Sequence, residues 1–428
     1  MSSGPAKLKG VHQRMVFDHL RRGGSASRAE LAKATGLSAP TIGKVAQTLI
    51  EARLVEEQGL NGAGATPSPD PSLAEGGGKR TGRIDDGRDG HPTGLSGQAL
   101  TYGSGGIGRP GTPLCLNRTA ADIVALQLGV RRTRLARLPV AGPIEDDRWT
   151  TQFATPRTAK TWLERLRAAK RKLRLARPRV VMVSTPGVVD EVAGRVLLSP
   201  NLHWTEGVDL VKRLRDMWRC PVLLVQEIRA LALGHLGATP NGQDFLLVDF
   251  GEGVGGAAVI NGRLYEGALA LSGELGHTPV LGNSRVCGCG AIGCVETLVS
   301  RRGLVKTFAA ATGRRRATWR QLVRRVAEYD LEPWLQEALQ AAGVTIGCAI
   351  NVLGIQRIVV TGAITELPEA AVEYLSQAVQ HSAMWARFGT VICVPAPRRW
   401  AAGLITAAID RLLLPAQAWP NHVGYVPG

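Results

Sequence analysis

One short stretch limits what this chain can fold into more than any other. Between Gly273 and Glu296 it reads GELGHTPVLGNSRVCGCGAIGCVE. Three of the seven cysteines, Cys287, Cys289 and Cys294, fall within eight residues there, downstream of His277. One imidazole and three thiolates make the Cys3His set that a tetrahedral structural Zn2+ prefers, and four protein ligands leave no open position for a catalytic water. The glycines at 288, 290 and 293 let a tight loop wrap such an ion without Cβ clashes. A disulfide is the competing reading, but two cysteines one residue apart are poorly placed to bridge, and nothing else marks the chain as secreted. The stretch therefore predicts a structural zinc loop over 277–294.

Taken in order, Glu274, His277, Cys287, Cys289, Gly290, Gly293, Cys294 and Glu296 spell Glu-x-Gly-His and then Cys-x-Cys-Gly-x-x-Gly-Cys-x-Glu. This resembles the sugar-binding and zinc signature of the ROK family, which groups bacterial sugar kinases with transcriptional repressors. The resemblance implies an α/β chain, with an N-terminal winged helix-turn-helix followed by a two-lobed, actin-like (ribonuclease H-like) domain. The expected division is 1–58 for the winged helix-turn-helix, 59–104 for an insertion, 105–119 for a return strand and linker, 120–414 for the sugar-binding domain and 415–428 for a tail.

At 428 residues the chain exceeds a single typical core, so two or three domains are expected. The opening MSSGPAKLKG has no apolar leader, and no run of about 18 apolar residues occurs, which predicts a cytoplasmic protein with no membrane partner. A formal charge of +17 calls for an anionic partner, nucleic acid first. Yet residues 1–60 hold only nine Lys/Arg against five acids, and the excess lies at 131–137, 165–179 and 313–325. Those arginines recur at helix-compatible spacing and read as solvated helix faces rather than as a DNA surface.

The first sixty residues have their own logic. Val11, Met15, Val16 and Leu20 recur with a helical period that Gly23 and Gly24 end. Ser27 with Glu30 three residues on is a capping box. Leu31, Ala32 and Ala34 make that second helix's inward face, Gly36 its turn and Leu37 a buried anchor. Ser38 caps a third helix with Pro40 in its first turn, where a missing N–H costs nothing. Helix, glycine turn, helix is a helix-turn-helix. Its third helix places Ser38, Thr41 and Lys44 where base edges and phosphates of double-stranded operator DNA would be met, with Ile42, Val45 and Leu49 packing inward. Leu54 to Gln58 reads as the first strand of a wing.

From Gly59 to about residue 104, Gly, Pro, Ser, Thr and Asp dominate, and disorder is expected. Gly108 to Asn117 resembles the family's return strand. Arg109 is either a minor-groove contact, on a Pro-stiffened segment that could enter a narrow groove, or an ordinary linker arginine; the basic run at 78–83 competes for the role.

In the large domain, Asp122 to Val140 reads as a hairpin. The family's kinases carry Asp-x-Gly-Gly-Thr there for metal and ATP phosphates, whereas this chain has Gln127-Leu128-Gly129-Val130-Arg131. The run 180–204, VVMVSTPGVVDEVAGRVLLSPNLHW, resembles the family's segments that supply a sugar ligand, which makes Asn201 a candidate. After the strand ending near residue 225 the kinases place Asn-Asp, the Asp being the general base; here stand Gln226 and Glu227, each one methylene longer. Chemistry is sensitive to about 1 Å of misplacement, so binding is expected to survive where catalysis would not. Phe245 to Ile260 resembles the second phosphate loop with Glu252 in place of a Thr, adding like charge against a triphosphate. Gly362 stands where the family often has a glycine pair. Residues 302–339 and 341–353 read as helices, the latter resembling the family's C-terminal lobe, which commonly mediates dimerisation, and Cys348 and Cys393 read as inert core thiols.

By resemblance, Asn201, Gln226, Glu227, Glu274, His277 and Glu296 line the sugar site. His277 then has two duties, one ring nitrogen on the metal and the other facing ligand. The expected function is a non-catalytic, sugar-responsive repressor acting as a homodimer or homotetramer. A DNA-binding regulator whose sugar site has decayed and an ATP-dependent sugar kinase are the alternatives.

Overall fold

The computed structural model describes residues 5–58, 112–117, 122–139, 149–174, 178–239, 244–267 and 272–413. The 59–104 insertion, Arg109 and the 415–428 tail lie outside the described residues.

Serine caps set the first elements. Helix α1 spans Pro5–Gly23, strand β1 Ser25–Ala26, α2 Arg28–Thr35 and α3 Ala39–Glu51. Ser27 and Glu30 form the reciprocal capping box at α2, Gly36 ends it in a left-handed conformation, and Ser38 caps α3 with Pro40 in the first turn. Leu31, Ile42, Val45 and Leu49 are buried as expected, but Leu37 is only half-buried and Ala34 is exposed, because α2 is too short to turn both flanks inward. Strands β2 (Val55–Glu57) and β3 (Leu114–Leu116) complete a three-stranded antiparallel sheet in the order β1-β3-β2, with Val55 opposite Leu116.

Two lobes follow with the same topology. The first holds β4 (Asp122–Leu128), β5 (Arg132–Pro139), β6 (Thr151–Ala154), α4 (Ala159–Lys172), β7 (Val180–Thr185), the β8–β9 hairpin (Val188–Asp190, Arg195–Leu198), α5 (Leu210–Trp218), β10 (Val222–Gln226) and α6 (Glu227–Ala238). The second holds β11 (Phe245–Phe250), β12 (Val254–Ile260), β13 (Arg263–Leu264), α7 (Glu296–Val299), α8 (Arg301–Ala311), α9 (Trp319–Tyr329), α10 (Pro333–Leu353), β14 (Arg357–Gly362), α11 (Glu369–Ser382), β15 (Ile392–Pro395) and α12 (Trp400–Ala408). Sheet orders β6-β5-β4-β7-β10 and β13-β12-β11-β14-β15 each join a three-stranded antiparallel meander to two parallel strands. Every residue of β7 is buried, as a central parallel strand covered on both faces requires.

Helices α6 and α12 fill the space between the sheets. Every residue of α12 is buried, and its sequence, apolar all round, suits only such a place. Its crossing with α6 depends on glycine: a Cβ on Gly403 would sit 1.7 Å from the Ala230 carbonyl oxygen. Leu404, Ile405 and Ile409 belong to one apolar cluster with Ile123 and Met182 of the first lobe and with Val16, Phe17 and Leu20 of α1. Fully burying such side chains is worth about 1.5–3 kcal/mol each, so the N-terminal elements share an interior with the first lobe and are not merely tethered to it.

Two expectations fail here. Residues 333–353 form one unbroken helix, since nothing at Gln340 or Ala341 interrupts it. Cys348 is exposed on α10 rather than buried in a core, because the apolar run around it is one-sided: Gly343 and Gly347 pack against α11, while Val344 and Val352 face out.

Candidate functional site

The lobes meet in a cleft of about 630 Å3 at the carboxyl ends of β7 and β10, closed on the far side by the β4–β5 and β11–β12 turns. Open parallel sheets place ligands at this end, where the loops splay apart. All six expected sugar ligands line it: Asn201, Gln226, Glu227, Glu274, His277 and Glu296.

Each is held by a distinct backbone feature. Gln226 ends β10 and Glu227 begins α6, so the strand-to-helix corner aims both side chains into the cleft. The Gln226 amide donates to Glu274 at 2.9 Å, and its backbone N–H donates to Glu191 at 2.7 Å. Glu191 is itself gripped by Arg411 and by Arg229. Glu296, at the start of α7, accepts the Val254 N–H at 2.8 Å. Asn201 follows Pro200 in the loop after β9, half-buried at the rim. Gln127 is buried, and its amide donates to Glu227 at 3.1 Å. Burial, and then the Asp249 charge, push the Glu227 carboxyl above the usual carboxylate range, against the pull of Arg398 and of the Gln127 amide. Burial also raises Glu274, with His277 and Gln226 drawing it back.

Beside this end the nitrogen and sulfur atoms of His277, Cys287, Cys289 and Cys294 all lie within 4.8 Å of one another. Bond lengths of about 2.3 Å for Zn–S and 2.0–2.1 Å for Zn–N put tetrahedral ligand atoms roughly 3.6–3.8 Å apart. Cys287 Sγ and His277 Nδ1 stand 3.6 Å apart, and Cys289 and Cys294 Sγ 3.8 Å. The donor set and its spacing fit the ion. Burial and the neighbouring thiols push Cys294 up to about 12, so a bound cation is what would turn these thiols into thiolates. His277 Nε2 stands 3.5 Å from Glu274 while Nδ1 stands 3.6 Å from Cys287 Sγ, so one ring nitrogen faces the cysteines and the other the cleft. Gly293, in the left-handed region, lets the loop pass within reach of the Asn283 carbonyl. Asn283 donates to the Cys294 carbonyl at 3.1 Å, and Arg285 donates to Thr297 and Thr307 at 2.8 Å. Neither Asn283 nor Arg285 belongs to the ligand motif, and nothing in their spacing marks them as its supports.

The opposite half of the cleft carries ion pairs that the motifs did not foretell. Arg398 grips Asp249 with two bonds, 2.6 and 3.0 Å, and Arg131 meets Glu252 at 2.8 Å across the lobes. The Glu252 charge is therefore paired rather than free to repel. Trp400, first residue of α12, and Arg301 also line this half. The only advance signal was the run PAPRRW before α12.

On α3, Ser38 and Lys44 are exposed and Thr41 is half-buried. Ser38 and Thr41 spend their hydroxyls on each other at 2.9 Å, which leaves Lys44 outward, beside the exposed and unforeseen Gln47, whose amide donates to Glu51 at 3.0 Å.

A family model described as the ROK family matches residues 123–409. The chain belongs to the ROK family. Among curated ROK relatives, a xylose repressor of Caldicellulosiruptor bescii is 34% identical over 128 residues, 29% of this chain and 32% of that protein. An N-acetylmannosamine kinase of Citrobacter koseri is 34% identical over 197 residues, 44% and 64% of the two chains. The chain thus matches 32% to 64% of these relatives' lengths. A solved ROK transcriptional regulator, a homologue of the E. coli MLC protein, overlays 94% of this chain and 97% of its own with a TM-score of 0.68 at 20% identity, a likeness of fold. No described helix is long and apolar enough to cross a membrane.

Proposed function

We propose that this ROK protein is a sugar-responsive transcriptional repressor that binds operator DNA and transfers no phosphate. On this reading residues 1–58 with 105–119 form a winged helix-turn-helix interrupted by the 59–104 insertion, and 120–414 form the sensing domain. One observation carries it: the apolar cluster around α12 is continuous with that of α1, while Trp400 at the other end of α12 lines the cleft. A kinase has no need of that continuity, whereas a sensor does.

Asn201, Gln226, Glu227, Glu274, His277 and Glu296 would bind the hydroxyls of a sugar, and the amide and carboxylates supply the acceptors and donors that a polyol needs. His277, Cys287, Cys289 and Cys294 would hold a zinc ion, which when bound clamps the loop and fixes the His277 tautomer, so that Nε2 presents one defined face to ligand. The same cleft is poorly equipped for a magnesium nucleotide. Gln127 is a neutral amide already bonded to Glu227, and Asp249 is committed to Arg398. Closing on a sugar shifts the population between two placements of the head, which requires the ligand to favour one of them.

The test uses a duplex selected in vitro by the full chain. Its affinity should change when a panel of monosaccharides and their phosphates is added, and ADP release with ATP and the same panel should stay at background. Turnover of any of these sugars would establish the kinase reading, and a bound duplex indifferent to every sugar would favour a decayed site.

A further inference from the structure

Five non-glycine residues adopt a left-handed backbone among the described residues, and three of them are arginines that terminate helices: Arg53 after α3 (φ 56°), Arg174 after α4 (φ 49°) and Arg219 after α5 (φ 55°). Glycine is the residue this position prefers, because a Cβ is strained there. A cation near a helix carboxyl end is favoured by the dipole, but that explains an arginine in the last turn, not one on the strained residue itself. Strain of this kind persists where the side chain has a use.

The topology gathers the three at one end of the molecule. Helices α4 and α5 run back along the first sheet, so their carboxyl ends emerge where β7 and β10 begin, opposite the ligand cleft. Val181 at the start of β7 donates to the Pro221 carbonyl, two residues beyond Arg219, at 3.0 Å. At the same edge, Arg179 donates to the Ala52 carbonyl at 3.4 Å, next to Arg53. The carboxyl end of α3 is therefore docked on this rim. Arg53, Arg171, Lys172, Arg174, Arg179 and Arg219 are all exposed. The acids nearby are Glu51, Glu56, Glu57 and Asp216, of which Glu57 pairs with Arg28 at 2.6 Å and Glu51 accepts from the Gln47 amide at 3.0 Å.

We infer that this arginine rim of the first lobe is a second DNA-contacting surface, which grips the sugar-phosphate backbone of duplex flanking the segment met by α3. The inference rests on the proposed DNA-binding function. It reverses the reading of residues 165–179 as a merely solvated helix face. Such contacts carry charge but no base readout, so they add affinity regardless of flanking sequence and make it steeply salt-dependent.

The experiment compares two fluorescent duplexes with the full chain: the in vitro selected segment trimmed to its boundaries, and the same segment extended by about ten base pairs of random sequence on each side. The key variant is Arg174→Gly with Arg219→Gly, which removes two cations and relieves two strained residues, so its Tm should hold or rise. The extended duplex should bind the native chain more tightly than the trimmed one, and the double variant should erase most of that gain. Its slope of log affinity against log salt on the extended duplex should be smaller by about 1.8, the value for two lost phosphate contacts. Equal binding of both duplexes by the native chain, or an unchanged slope in the double variant, overturns the inference, as does a rim that serves phosphatidylserine vesicles and not flanking DNA. Failure to bind either duplex would instead bring down the DNA-binding reading itself, a separable result.

Discussion

The side-chain amide of Gln127 donates to Glu227 across 3.1 Å, joining the first strand of the large domain to the first residue of α6. By the resemblance, these are the two positions where the family's kinases carry acids; here one is an amide, and it donates to the other. Glu227→Gln should keep that bond, since an amide oxygen also accepts. Because the folded chain holds the Glu227 proton more tightly than the unfolded chain, stability falls as pH rises from the ordinary carboxylate value of about 4.3 through the raised one. The variant should therefore melt higher than the native chain at pH 8, with the difference vanishing below pH 4; a gap that widens in acid contradicts the assignment.

Metal content is the next check. The purified chain should carry one zinc by elemental analysis, and Cys294→Ser should lose it, because three remaining ligands no longer close the tetrahedron. The variant should melt lower, and its residual fold should respond less to ligand, since His277 is then free to turn. Full ligand response in a metal-free protein would dissociate the loop from sensing.

Ligand binding in the cleft has a thermal signature. A sugar at a hundred times its Kd should add about 2.7 kcal/mol to stability. Gln226→Ala breaks the 2.9 Å bond to Glu274 and should remove most of that gain at the same sugar concentration, as measured by thermal shift. An undiminished shift would move the ligand elsewhere.

Gly403→Val places a branched side chain where a Cβ already falls 1.7 Å from the Ala230 oxygen. Overpacking costs typically 1–3 kcal/mol, and with backbone as the obstacle the loss in urea denaturation should lie at or above the upper end. A neutral result would mean that α6 and α12 are free to part.

Arg14 of α1 meets Asp410, just beyond α12, in an ion pair that also involves Asp18. Partly exposed pairs contribute little stability, about 0–1 kcal/mol, so Asp410→Ala should barely change melting. It should nevertheless weaken the effect of sugar on DNA affinity, a coupling whose usual range is 5–150-fold, while each ligand alone binds about as before. Intact coupling would assign transmission to the apolar cluster alone.

The sequence by itself determined the local and the covalent: the caps at Ser27 and Ser38, the hairpin of β4 and β5, and the Cys3His spacing. Each is set by residues a few positions apart, where backbone hydrogen bonding and ligand chemistry leave few choices. Only the tertiary structure decided which distant charges neutralise one another, as with Arg398 on Asp249 and Arg131 on Glu252, because salt-bridge partners obey no periodicity along the chain. It also decided that Cys348 faces outward, that residues 333–353 make one helix, and that three arginines with left-handed backbones end up on one rim. An exposed face and a buried one have the same local propensities, and what separates them is the surface that the rest of the fold brings to cover one and not the other.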